Sequence, residues 1–322
     1  MIISLLSIPV LGCLVLAPFS KGKSTATTES SMKRIALITT FLNFIVSIIL
    51  FCEFDSSTTE YQFTHEFNKV NFCHLHVGVD GISLYFVLLT TFIMPICILS
   101  NWNTITGGLK YYLICFLMLE TLLIATFVVL DILLFYVFFE SVLIPLFLIV
   151  GVWGGSPTRV RASFLLFLYT LFGSLFMLLA FLVIYYNVGS TDFQVILINE
   201  ISLDSQKVLF LCIFISMAVK TPLLPFHVWL PRAHAEAPLA GSVVLAGLIL
   251  KLATYGYMRI LIEILPDATN YFSPLVLCIA AITLIYASLS TLRQTDFKAL
   301  VAYSSIGQYG PINHNPVSIK QL

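Results

Sequence analysis

Four residues of the chain stand where packing alone does not account for them. Glu120, Glu140, Lys220 and Lys251 each lie inside a long apolar run. A charged side chain at the centre of a bilayer costs about 2.5–3.5 kcal/mol on insertion scales. Four of them facing lipid unpaired would cost about 10 kcal/mol or more. A stable bundle turns such groups inward, toward one another or toward water. Carboxyls and amines held there take up and release protons, so proton transfer is the chemistry they offer. The run AVKTPLLPFHVWLPRAHAEAP (218–238) adds a second signal. Pro222 lacks the amide that would bond the Ala218 carbonyl, and Pro225 lacks the one for Thr221. The helix is therefore expected to break beside Lys220 and to leave carbonyls free to hold water near the ammonium. Irregular backbone at membrane depth is tolerated only against protein or a water-filled cavity.

Burial favours the neutral amine of a lysine, and a nearby carboxylate favours its ammonium. Moving Glu140 toward or away from Lys220 would switch the lysine between holding and releasing a proton. A tenfold change in proton affinity is worth about 1.4 kcal/mol, and carrying one charge across 100 mV costs about 2.3 kcal/mol. A swing of a few powers of ten thus has the right size. Lys251 has Gly247 and Tyr255 one turn away on the same helical face, giving room for water and a hydroxyl. His227 and His234 follow the double-proline break, with Glu236 close behind, and His relays protons near neutral pH. The cysteines at 13, 52, 73, 97, 115, 212 and 278 form no C-x-x-C and read as small apolar residues. His74 and His76 give one H-x-H without a helical i, i+4 pair, so no metal site is expected.

These groups need membrane helices to hold them. A spanning helix takes about 20 apolar residues, and the chain offers nine such runs near 1–18, 35–52, 80–99, 111–130, 132–152, 162–186, 207–230, 239–264 and 271–291. A tenth opens near 299. Asp131 marks a tight turn between spans four and five, with Glu120 eleven residues before it and Glu140 nine after. At 1.5 Å per residue both carboxyls sit about 13–17 Å from the membrane edge. The odd-numbered loops hold Lys21, Lys23, Lys33, Arg34, Lys110, Arg159, Arg161, Arg232, Arg293 and Lys298, against Lys69, Lys207 and Arg259 on the other side. The positive-inside rule places the odd loops in the cytoplasm or matrix. Residues 53–79 alternate polar and apolar (Tyr61, Phe63, Phe67, Val70, Phe72), which suggests an extramembrane hairpin. Residues 191–201 alternate less cleanly and are expected to lie on the surface. Trp102, Trp153 and Trp229 are expected as interfacial anchors, and Arg293, Asp296 and Lys298 as a solvated loop with local pairing.

The composition agrees. Of 322 residues 59% are hydrophobic and 10% charged, and the mean hydropathy is +1.00. A soluble domain carries about a quarter charged residues. Sixteen basic and sixteen acidic residues cancel, so nothing suggests a nucleic-acid partner. The fold expected is an all-α polytopic membrane bundle, with no signal peptide or Arg-rich transit segment ahead of the first span.

The motifs FYVFFESVLIP (135–145), KTPLLPFHVWLPRAHAEAP (220–238), LAGLILKLATYGYMR (245–259) and RQTDFKALVAYSSIG (293–307) resemble the chain 4 family of proton-pumping NADH:ubiquinone oxidoreductase, respiratory complex I. The resemblance implies an antiporter-like membrane subunit whose proton relay uses Glu140, Lys220 and Lys251, with Glu120 less uniform in role. It implies no redox centre on this chain, with NAD and ubiquinone handled by partner subunits, and a multi-pass place in the mitochondrial inner membrane or a bacterial plasma membrane. It divides the chain into spans 1–3 (1–110), a five-helix repeat (111–264) with its broken helix near 220–226, the start of a second repeat (271–307) and a divergent tail (308–322). The family runs past 400 residues. The polar tail QYGPINHNPVSIKQL, with Pro311 and Pro316, is expected not to complete a span, as in a truncated product, an unspliced exon or a partial gene. Such a chain is not expected to pump alone. A standalone cation/proton antiporter and a non-functional fragment are the rival expectations.

Overall fold

The computed structural model describes residues 1–19, 26–58, 60–66, 75–105, 107–199 and 201–312. They form helices α1 (Ile2–Leu16), α2 (Ala26–Glu53), α3 (Gly81–Ser100), α4 (Leu109–Val128), α5 (Ile132–Ser141), α6 (Leu143–Trp153) and α7 (Arg159–Val188). There follow α8 (Phe193–Ile198), α9 (Leu203–Lys220), α10 (Trp229–Glu236), α11 (Leu239–Val244), α12 (Leu250–Gly256), α13 (Pro266–Thr291) and α14 (Phe297–Ile312). Strands β1 (Gln62–Glu66) and β2 (His76–Val79) pair antiparallel. Helices dominate because a backbone in hydrocarbon must satisfy its own polar groups. Seven helices among the described residues are long and apolar enough to cross a membrane. This is fewer than the nine expected spans. The first run yields a helix of only 15 residues, and the run at 207–230 is interrupted after Lys220.

The chain forms two compact units. The first holds Met1–Gly154 and Pro238–Val244. Here α4 is the most enclosed span, packing on α1, α2, α3, α5 and α6. Gly12 of α1 permits the close approach, since a Cβ there would stand 2.9 Å from Thr39 Cγ2 and 3.2 Å from Leu117 Cδ1. The expected hairpin is present as β1–β2, although Phe67, Val70 and Phe72 lie outside the described residues. It braces the α4–α5 turn: the Leu130 amide donates to the His76 carbonyl at 2.9 Å, and Val77 bridges Val129. The buried Asp131 side chain caps α5 by accepting the amides of Leu133 and Leu134 at 2.9 and 3.0 Å. Asp80 caps α3 through a capping box with Ser83. Trp153 donates its indole N–H to the Gly107 carbonyl at 2.8 Å.

The second unit holds Gly155–Ala237 and Leu245–Leu322. Its main contacts are α7 with α9 and α13 with α14. Within the region expected to lie on the surface, Phe193–Ile198 form the short helix α8, capped by Asp192. Large apolar side chains such as Phe172, Ile282 and Leu289 are exposed along α7 and α13, which suits helices facing lipid. In the Arg293–Lys298 loop, where Arg293 and Asp296 are exposed, the Asp296 carboxylate accepts the Lys298 amide at 3.1 Å as local pairing predicts, while Lys298 Nζ reaches out to the Ala237 carbonyl at 2.9 Å. Helix α14 runs on through Pro311, and residues 313–322 of the tail lie outside the described part.

Candidate functional site

In the first unit the two expected carboxyls occupy different settings. Glu120, midway along α4, is 0% exposed. Its Oε1 accepts from Asn43 Nδ2 of α2 at 2.7 Å. One turn further along α2, the Ser47 hydroxyl pairs with the Thr91 hydroxyl of α3 at 2.7 Å. Asn43 was not legible as a site residue, because an uncharged amide in a span carries too small a penalty to stand out. Its one signal is the spacing Thr40–Asn43–Ser47, which puts three polar groups on one helical face. Glu140 is half-buried near the end of α5. The expected straight span is interrupted there, at Val142, before α6 begins. Pro145 lacks the amide that would bond the Ser141 carbonyl, which accounts for the interruption.

In the second unit Lys220 closes α9 and is 2% exposed. The break lies where Pro222 and Pro225 predict it, but the Ala218 carbonyl, expected to be left free for water, finds a partner within the chain. The Ala218 carbonyl accepts the Leu223 amide at 2.9 Å, across a turn one residue wider than helical. The Val219 carbonyl accepts the Trp229 indole N–H at 2.8 Å, and the Met217 carbonyl accepts both the amide and the hydroxyl of Thr221 at 2.8 Å. Trp229 is therefore not an interfacial anchor; at 1% exposed it is a core residue that caps the broken helix. Between the prolines, the Leu224 amide donates to the Thr283 hydroxyl of α13 at 3.1 Å, and that hydroxyl donates to the Ile279 carbonyl at 2.7 Å. The chain then passes through a 3₁₀ turn (Phe226–Val228) into α10. The break is an ordered structure built from side chains, with Lys220 at its edge.

Lys251 lies on α12 between two π-helical segments, Leu245–Ile249 and Tyr257–Ile262. Such segments recur at functional sites. The first shifts Gly247 out of the expected α-helical register, whereas Tyr255 stays one α-helical turn from the lysine within α12. Tyr255 is buried, and Lys251 is half-buried. The following π segment presents Tyr257, whose hydroxyl stands 3.3 Å from that of Thr221, the residue after Lys220. His227 is buried with its ring edge-on to Tyr286, centroids 5.1 Å apart. His234 is buried within α10. Glu236 is an anchor: it accepts from Ser156, and from Thr158 at 2.7 Å, and its own carbonyl accepts the Gly155 amide at 3.0 Å. Among the described residues no group of three or more His, Cys, Asp or Glu is arranged to hold a metal.

A family described as NADH:quinone oxidoreductase/Mrp antiporter, TM matches residues 129–312, more than half of the chain. The chain belongs to this family. That match covers Glu140, Lys220, His227, His234, Lys251 and Tyr255, and leaves Asn43 and Glu120 outside it. Among curated relatives, NADH-ubiquinone oxidoreductase chain 4 of Mycosarcoma maydis is 79% identical over 307 residues, covering 95% of this chain and 63% of the relative. Its counterpart in Arabidopsis thaliana is 48% identical, covering 92% and 60%. NADH-quinone oxidoreductase subunit M of Rickettsia prowazekii is 45% identical, covering 89% and 59%. The chain thus spans about three-fifths of the length of these relatives. A chain of respiratory complex I from Thermus thermophilus with bound NADH superposes with a TM-score of 0.83 at 26% identity, over 96% of this chain and 63% of that one. A membrane-bound sulfane sulfur reductase shares the fold, with a TM-score of 0.85 at 23% identity. The all-α, antiporter-like bundle read from the sequence is therefore the fold of this family.

Proposed function

We propose that this chain is a proton-translocating membrane subunit of NADH:ubiquinone oxidoreductase. In this reading Glu140, Lys220 and Lys251 are successive proton carriers, Glu120 is a further proton-holding group, and His227, His234 and Tyr255 assist transfer. NADH oxidation and quinone reduction take place on partner subunits, and this chain contributes no redox group. It works within a membrane assembly, in the mitochondrial inner membrane. Residues 111–264 act as one proton-conducting repeat, and residues from 271 begin a second.

One observation carries the reading: an ammonium-bearing side chain, Lys220, is enclosed at the edge of an ordered helix break in the middle of an apolar chain. A buried lysine that served only packing would be replaced by an apolar residue at a gain in stability. Burial favours the neutral amine of such a lysine and a nearby carboxylate favours its ammonium, so a change in its surroundings can load or release the proton. The family also takes in the Mrp antiporter, which supplies the alternative of cation/proton exchange without a redox assembly. The two part on association. Mild solubilisation of the native membrane is expected to recover this chain with NADH:quinone oxidoreductase activity on a native gel. Recovery free of that activity, together with sodium-driven proton flux, would show the exchanger instead.

A further inference from the structure

Helix α2 buries three polar side chains at one-turn spacing, Thr40, Asn43 and Ser47. Two of them find ordinary partners. The Thr40 hydroxyl returns to the Ala36 carbonyl at 3.1 Å, and Ser47 pairs with Thr91. Asn43 instead reaches across to α4, where its Nδ2 donates to Glu120 Oε1 at 2.7 Å. That single bond leaves two oxygens, Asn43 Oδ1 and Glu120 Oε2, buried with no hydrogen-bond partner. With Glu120 ionised, both can only accept. Glu120 has no ion pair among the described residues. The other titratable group that faces it is the Cys13 thiol of α1, whose own bond goes to the Ile114 carbonyl at 3.8 Å.

An ionised carboxylate in this setting carries three deficits: a full charge without a counter-ion and two unmet acceptors, each costly in an apolar interior. One proton on Oε2 removes all three. The charge disappears, Oε2 becomes a donor, and the atom that lacks a donor on the facing amide is Asn43 Oδ1. A carboxylic acid and a primary amide joined in this way close a ring with two hydrogen bonds. We propose that Asn43 and Glu120 form a single-proton binding site between α2 and α4, in which Glu120 Oε2 carries the proton and donates it to Asn43 Oδ1. Asn43 is the positioning residue: its amide holds Oε1 and its oxygen receives the proton-bearing Oε2. The site lies outside the residues matched by the family model. It concerns which atom holds a proton at rest, and stands whether or not Glu120 passes that proton on.

Infrared difference spectroscopy on the intact, membrane-embedded assembly at neutral pH tests this directly. Glu120→Gln keeps a donor in place of the O–H, so the variant assembles, and its spectrum loses one buried carboxylic-acid C=O band. Asn43→Leu strips the hydrogen bond from that C=O and moves the same band to higher frequency. Asn43→Ser, whose hydroxyl is too short to span both oxygens, gives the same shift where the leucine variant fails to assemble. An acid region unchanged by Glu120→Gln would mean that Glu120 is ionised and would overturn the proposal. A band that is lost in Glu120→Gln but does not move in either Asn43 variant would overturn the role of Asn43.

Discussion

Trp229 shows how much a single donor contributes beside a buried charge. Its indole N–H meets the Val219 carbonyl at 2.8 Å, one residue before Lys220. In Trp229→Phe the ring packing is largely kept and the donor is lost, leaving a buried acceptor unsatisfied. Such a loss costs about 1–3 kcal/mol. The thermal unfolding midpoint of the purified assembly is expected to fall, and an unchanged midpoint would remove Trp229 as the cap. At this scale the charged residues were the legible ones. Glu120, Glu140, Lys220 and Lys251 announce themselves because a charge in an apolar run is expensive. Asn43 and Trp229 do not, since an amide or an indole in a span is cheap and its value lies in a partner that sequence does not reveal. The Trp229 position read as interfacial because it falls at the end of the apolar run 207–230.

The decisive element is the interrupted helix α9–α10. Its location was legible, since two prolines three residues apart remove two helical donors. Its internal bonding was not. The Thr283 hydroxyl that accepts the Leu224 amide lies 59 residues downstream, and the wide turn from Leu223 to Ala218 has no sequence signature. The interruption at Val142 follows the same physics at Pro145 and was within reach of the same reading. The π-helical segments flanking Lys251 have no comparable signal, because one extra residue per turn leaves apolar periodicity almost intact. Helix α7 seats the break from the other side. A Cβ on Gly173 would stand 2.9 Å from Val219 Cβ and 3.0 and 3.1 Å from its methyls, atoms of a short branched side chain with little room to turn aside. Gly173→Ala is therefore expected to push α7 from α9 next to Lys220, at about 1–3 kcal/mol for the overpacked contact. Assembled complex on native gels should fall in proportion, and full assembly at unaltered thermal stability would contradict so close an approach.

Across the whole molecule, composition alone pointed to a membrane bundle, and seven helices among the described residues are long and apolar enough to cross a membrane. The number of expected spans was too high because apolar runs do not report where a helix ends. Met1–Ala17 is mostly apolar yet gives only 15 helical residues, and residues 207–230 hold two helices and a turn. Family membership follows from residues 129–312, and the fold is shared with a chain of respiratory complex I over 96% of this chain. What the chain does within an assembly rests on Lys220. The direct measurement is the number of protons moved per NADH oxidised, in vesicles reconstituted with the complete assembly carrying Lys220→Met. The methionine fills the space of the lysine stem without a titratable group, so NADH oxidation is expected to continue weakly or stop while proton uptake is lost in step or beyond it. A variant that oxidises NADH at the normal rate with the normal proton ratio would show that Lys220 carries no protons, and the proposed relay would be wrong.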